Sequence, residues 1–160
     1  MKKIELTTTL TIFSGVHELP DSISDLMERA SEIRNMAYAP YSQFKVGAAI
    51  LLENDQIVLG NNQENACYPS GLCAERTAIY SAGANYPGVV MKAMAITAKS
   101  NQQLTSKPVP PCGSCRQTIA EYELKQQAPI PIYFMGEKGE IYLSDSLSNL
   151  LPFTFDNTYL

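Results

Sequence analysis

Apolar positions recur at two different spacings along the 160-residue chain, and the alternation between them divides it into helices and strands. Ile23, Leu26, Ala30, Ile33 and Ala37 return every three or four residues, which predicts one helix with an apolar inner face. Asp21 or Ser22 caps its start, and Pro40 ends it. Phe44-Lys45-Val46-Gly47-Ala48-Ala49-Ile50-Leu51-Leu52 is instead a nearly unbroken apolar run of strand length, as expected of a central strand covered on both faces. The polar stretch 53–56 predicts a tight connection, and Ile57-Val58-Leu59-Gly60 its hairpin partner.

Beyond the hairpin, the polar residues 61–65 form a loop that runs towards a second helix, from Cys73 to about Ala82, which Gly83 or Pro87-Gly88 ends. Residues 91–98 predict a strand, 99–110 a polar loop, and 112 to about 124 a third helix with Ile119 and Tyr122 turned inward. Short strands over 130–135 and 140–143 flank the turn Gly136-Glu137-Lys138-Gly139, and 144–151 reads as a last short helix. Residues 4–16, rich in Thr, Ile, Leu and Phe, favour an extended edge strand or arm. The order predicts a three-layer α/β/α sandwich with a mixed five-stranded sheet. Residues 1–160 are expected to form a single domain, with 1–20 as an N-terminal extension.

Composition narrows the class. A content of 45% hydrophobic and 18% charged residues is that of a globular domain, long enough to build its core without disulfides. A net charge of -4 argues against a nucleic-acid partner held through phosphates and favours a small neutral ligand. No apolar run approaches the ~20 residues of a membrane span, and Met1-Lys2-Lys3 leads into Ile4-Glu5-Leu6 and threonines rather than a signal-peptide core. No membrane partner and a cytoplasmic location are expected, so the four cysteines are read as free thiols or metal ligands.

Their spacing carries the chemistry. Cys73 is followed two positions later by Glu75, and Cys112 and Cys115 form a CxxC pair at the start of the third helix, where both sulfurs reach one ion. Three thiolates at two helix N-termini fit a tetrahedral Zn²⁺, one per chain, with the fourth position left for water. Helix N-termini lower thiol pKa values and offset the cluster, which with Zn²⁺ and three thiolates carries a formal charge of about -1. Arg76, with Arg116 as a second candidate, is placed to donate to the sulfurs and withdraw charge. Glu75 is left free for general acid/base work. A structural zinc site, a redox CxxC pair and a solvated Glu75 remain the competing readings, although no fourth zinc ligand lies nearby in sequence. His17, the single histidine, lies far from these motifs and reads as a surface residue, while Cys67 reads as a small packed side chain.

Cys73-Ala74-Glu75 with Pro111-Cys112-Gly113-Ser114-Cys115 resembles the zinc nucleoside deaminases. Tyr38-Ala39-Pro40-Tyr41-Ser42, Phe44, Val46-Gly47-Ala48-Ala49, Asn62, Glu64-Asn65-Ala66, Tyr68-Pro69, Arg76-Thr77-Ala78 and Arg116-Gln117 extend the likeness to cytidine deaminases, over nearly the whole chain past the first ~20 residues. The resemblance implies hydrolytic deamination of cytidine and deoxycytidine in pyrimidine salvage, by zinc-activated water at C4, with Glu75 carrying the proton to N3 and to the departing amino group. It implies that Asn62 and Glu64 bind the ribose 3′-hydroxyl and that Phe44 and Ala74 contact the nucleoside. The tail Leu150-Leu151-Pro152-Phe153-Thr154-Phe155 is similar to that of the small homotetrameric members, in which an aromatic from a neighbouring subunit closes the pocket; Phe155 matches it, with Phe153 the competitor. The alternatives are a deaminase of a related nucleoside such as blasticidin S and a zinc-stabilised binding module without catalysis.

Overall fold

Strand β2 (Phe44–Leu52) lies inside the sheet, hydrogen-bonded on one side to β3 (Ile57–Asn61) and on the other to β4 (Met91–Ser100). Its alternate residues feed two cores. Ala48, Ile50 and Leu52 face the helices α2 (Ala74–Asn85) and α3 (Gly113–Gln126), together with Met94, Ile96, Ile132 and Phe134. Ala49 faces α1 (Asp21–Arg34) on the opposite side, with Ala93, Ala95, Leu26, Met27 and Ala30. Burial of both faces explains why this strand reads as a continuous apolar run, since each fully buried large side chain contributes roughly 1.5–3 kcal/mol. The computed structural model describes every residue from Met1 to Leu160 and has the three-layer α/β/α arrangement expected.

The sheet has six strands rather than five, in the order β1-β6-β5-β4-β2-β3. Strands β4 and β5 (Ile132–Met135) run parallel, and all other neighbours, including β5 with β6 (Ile141–Ser144), are antiparallel. The additional strand is β1 (Thr11–Phe13), which pairs Thr11 with Leu143 and Phe13 with Ile141. A three-residue strand gives too short an alternation to separate from an arm by sequence, and it is the open edge of β6 that fixes it.

Element ends shift where tertiary contacts outweigh local signals. Helix α1 stops at Arg34, short of Ala37, because Tyr38 leaves the helix to pair with Asn62 and Glu64. Helix α2 runs through Gly83 to Asn85, so that glycine does not terminate it. A Cβ at Gly83 would lie 2.4 Å from the Tyr122 hydroxyl, so its bare backbone lets α3 pack close. Residues 144–151 form only a short 3-10 turn, Leu147–Asn149, instead of an α-helix.

Candidate metal centre and active site

Two helix starts meet on the α2/α3 side of the sheet. Cys73 is the N-cap of α2 and Cys112 the N-cap of α3, both with extended backbone, while Cys115 lies in the first turn of α3 and is buried. The α2 start is set by a close approach to the sheet, because a Cβ at Gly60 of β3 would lie 2.5 Å from both Ala74 O and Ala78 N. Cys73 Sγ is 3.8 Å from Cys112 Sγ, and Cys112 Sγ is 3.6 Å from Cys115 Sγ. All three sulfurs lie within 4.8 Å of one another. Tetrahedral Zn–S bonds of about 2.3 Å place sulfurs about 3.8 Å apart, so the three thiols fit a zinc ion without rearrangement.

The cluster is electrically polarised. Cys73 is pushed down to about 5 by a hydrogen bond from the Cys115 thiol, which outweighs burial, with further help from Arg76 and Cys112. Cys115 is pushed up by that same bond, by burial and by the negative charges around it. Arg76 Nη2 lies 3.8 Å from Cys73 Sγ. Glu75, on the first turn of α2, is 5% exposed and its carboxyl is pushed up to about 7, first by burial and then by the charge of Cys73. A bound divalent cation acts in the opposite direction. Glu75 is therefore a buried carboxyl beside three soft donors.

A cleft of about 460 Å³ opens next to Cys73 and Arg76, with Asn62, Glu64, Tyr41 and Tyr68 among its walls. Its loop is braced from both sides: Gln63 and Leu72 exchange backbone hydrogen bonds at 2.9 Å, and Tyr38 bonds to Asn62 and Glu64 at 3.1 and 2.9 Å. Asn62 Oδ1 accepts from Val46 N at 2.8 Å and its Nδ2 donates to Phe44 O at 2.9 Å, which fastens the loop to β2. Glu64 accepts from the Tyr41 and Ser42 amides and from the Ser42 hydroxyl. Burial pushes this carboxyl up, but the three donors together hold it below its ordinary value.

Residues 20–128 match the model of the cytidine and deoxycytidylate deaminase zinc-binding region. The chain belongs to that family. It is 40% identical over 134 residues to the cytidine deaminase of Sporosarcina psychrophila, covering 83% of this chain and 90% of that protein. It is also 40% identical over 130 residues to the cytidine deaminase of Halalkalibacterium halodurans, covering 81% and 91%. The crystal structure of cytidine deaminase from Burkholderia pseudomallei superposes with a TM-score of 0.70 at 38% identity, over 82% of this chain and 97% of that one. Zinc is the cofactor this family site is built for, and the Cys73, Cys112 and Cys115 thiols are a donor set of the right kind and spacing.

Within this deaminase framework the other expected residues are dispersed. Phe44, Ala74 and Phe155 do not line the cleft: Phe44 is half-buried at the start of β2, Ala74 is buried behind Cys73, and Phe155 is exposed on the tail. Cys67 is exposed in the loop and not packed, and it stands outside the sulfur cluster. His17 is exposed, as expected. Arg116 does not reach the sulfurs, since Nε donates to Pro111 O at 2.9 Å and Nη1 to Leu150 O at 2.7 Å. Tyr41, Ser42, Tyr68 and Leu72 line the cleft without having been assigned a role from sequence. Tyr41, Ser42 and Tyr68 carried a signal only through the stretches that resemble the cytidine deaminases, and the backbone pairings that fold this loop are invisible in composition.

Proposed function

We propose that this deaminase-family chain hydrolyses the C4 amino group of cytidine and deoxycytidine, releasing ammonia and the uracil nucleosides, as a pyrimidine-salvage enzyme. The observation that carries the reading is a buried carboxylic acid, Glu75, beside a zinc-fitting thiol triad at the end of a cleft of nucleoside size. Bound zinc supplies Lewis acidity that makes water a nucleophile at neutral pH. Glu75 would take one proton from the attacking water and give it to the ring nitrogen N3, then take the second from the hydroxyl newly added at C4 and pass it to the amino group, which departs as ammonia as the C4 carbonyl forms. A buried carboxyl beside the thiol triad is placed for both transfers. Arg76 donates towards Cys73 and withdraws charge from the thiolates.

Asn62 and Glu64 bind the sugar. The two bonds that Asn62 makes to β2 use one amide hydrogen and one lone pair between them, leaving one of each for a hydroxyl. Glu64, held as a carboxylate by its three donors, has lone pairs left to accept from the 3′-hydroxyl. Phe44 and Ala74 pack beside the bound base and sugar. The exposed Phe155 acts on a neighbouring subunit's cleft in a homotetramer, a role supported by its absence from the cleft of its own chain.

The test is ultraviolet loss of cytidine, deoxycytidine and blasticidin S by purified protein whose zinc content has been measured. Turnover of the first two is expected. Turnover of blasticidin S alone would move the substrate class, and no turnover of any by zinc-replete protein would leave a zinc-stabilised binding module.

A further inference from the structure

The C-terminal segment is held by the same helix that carries Cys112 and Cys115. Leu150 and Leu151 pack against the α2/α3 core, but across 152–155 the chain makes no backbone–backbone hydrogen bond. Side chains of α3 restrain it instead. Arg116 Nη1 donates to Leu150 O at 2.7 Å at the base of the tail, and Gln117 Nε2 donates to Phe155 O at 2.7 Å near its end. Between these anchors, Thr154 Oγ1 donates to Leu151 O at 2.8 Å. Arg116 Nε also donates to Pro111 O at 2.9 Å, the carbonyl that precedes Cys112. One guanidinium thus joins the loop before a metal-ligating cysteine to the base of the tail.

The aromatic side chains are left pointing away. Phe153 is 76% exposed and Phe155 59% exposed, with the Phe155 ring stacked on Tyr159. The polar bonds fix the tail through its carbonyls and leave Phe153, and the face of Phe155 turned away from Tyr159, open to another surface. We infer that Arg116 and Gln117 are positioning residues that set the reach of the C-terminal tail, so that the display of Phe155 depends on the helix holding Cys112 and Cys115. The two anchors differ in strength. Arg116 makes charge-assisted bonds in a fixed planar fork that lysine cannot reproduce, whereas Gln117 makes one neutral bond at a mobile end. Loss of Gln117 therefore frees the tip alone, and loss of Arg116 loosens the base and the Pro111 carbonyl together.

The experiment uses zinc-loaded protein and three variants: Gln117→Met, which keeps the side chain's length without a donor, Arg116→Lys, and a chain ending at Leu151. Chymotrypsin cleavage within the tail reads its opening independently of activity. Gln117→Met is expected to be cleaved about fivefold faster, the effect of one lost hydrogen bond, with zinc content unchanged. Its KM for cytidine rises by about the same factor while kcat stays within about twofold. Arg116→Lys is cleaved faster and also surrenders zinc to a chelator sooner. The kinetic arm rests on the reading of Phe155 as cover for a nucleoside cleft. If the chain ending at Leu151 has an unchanged KM, that reading fails while the cleavage rates still decide the tether. Wild-type cleavage rates in Gln117→Met would overturn the inference, even if Arg116→Lys did not fold. A loosened tail with unchanged KM, in an enzyme whose KM the truncation does raise, would overturn it equally.

Discussion

Glu75 is buried on the first turn of α2, and burial pushes its carboxyl up to about 7; its proposed role as proton carrier can be tested directly. Glu75→Gln keeps the shape but cannot shuttle a proton, so zinc content is expected to be unchanged while kcat falls by about 10²–10⁴. Metal analysis alongside steady-state rates checks this, and a rate within tenfold of wild type would remove Glu75 from the proton path. Glu64 gives a pH prediction of definite sign. Its folded carboxyl lies below the ordinary value of 4.5, so it stabilises the fold at pH values above that range and loses the contribution as pH falls through the lowered folded value. The difference in melting temperature between wild type and Glu64→Gln should be constant above about pH 5.5 and shrink below about pH 4, within the ordinary glutamate range. An equal difference at pH 3 and pH 7 would show that the Ser42 and Tyr41 donors do not hold a carboxylate. The three cysteines that the fold brings together, and the buried Glu75, stood out in the sequence because each motif is local. The anchoring of Asn62 and Arg116 did not, since their partners lie 16, 18 and 34 residues away.

At the scale of elements, the site depends on how closely α2 approaches β3. A methyl at Gly60 meets backbone atoms, Ala74 O and Ala78 N, which cannot turn aside as a flexible side chain can. Gly60→Ala is expected to cost about 1–3 kcal/mol by overpacking and, because Cys73 caps the displaced helix, to weaken zinc retention as well. Gly83→Ala meets only the end of the Tyr122 side chain, so its cost is smaller and zinc retention is unaffected. Urea unfolding with chelator competition separates the two, and equal zinc retention in both variants would break the link between Gly60 and the site. The same contrast explains what sequence could tell. Apolar patterning located α1, β2, β4 and α3 because each carries residues of the two cores. It could not show that Gly83 sits inside a helix, because that depends on Tyr122, which is 39 positions later in the chain.

At the scale of the molecule, the active site and the N-terminal strand occupy different parts of one sheet. Strand β1 is the edge beyond β6, whereas α2, which carries Cys73 and Glu75, packs against β3 and β2 at the other end of the strand order. The matched family region begins at residue 20, so β1 lies before it. Its local contribution is cover: Phe13 packs against the α1-side core with its ring 6.3 Å from Tyr133, Leu10 packs against the α2/α3 core, and the strand occupies the hydrogen-bonding edge of β6. A chain starting at Ser14 should therefore keep its zinc and its kcat within about twofold, because no zinc ligand, cleft residue or proton carrier is touched. Its stability should fall by about 2–3 kcal/mol for the lost Phe13 and Leu10 contacts. The newly open β6 edge should also raise concentration-dependent association, since an unpaired strand templates pairing with another chain. Light scattering against protein concentration, beside zinc content and turnover, tests both halves. A truncated chain that loses turnover while retaining stability would place the N-terminal strand in the function of the site rather than in the protection of the sheet.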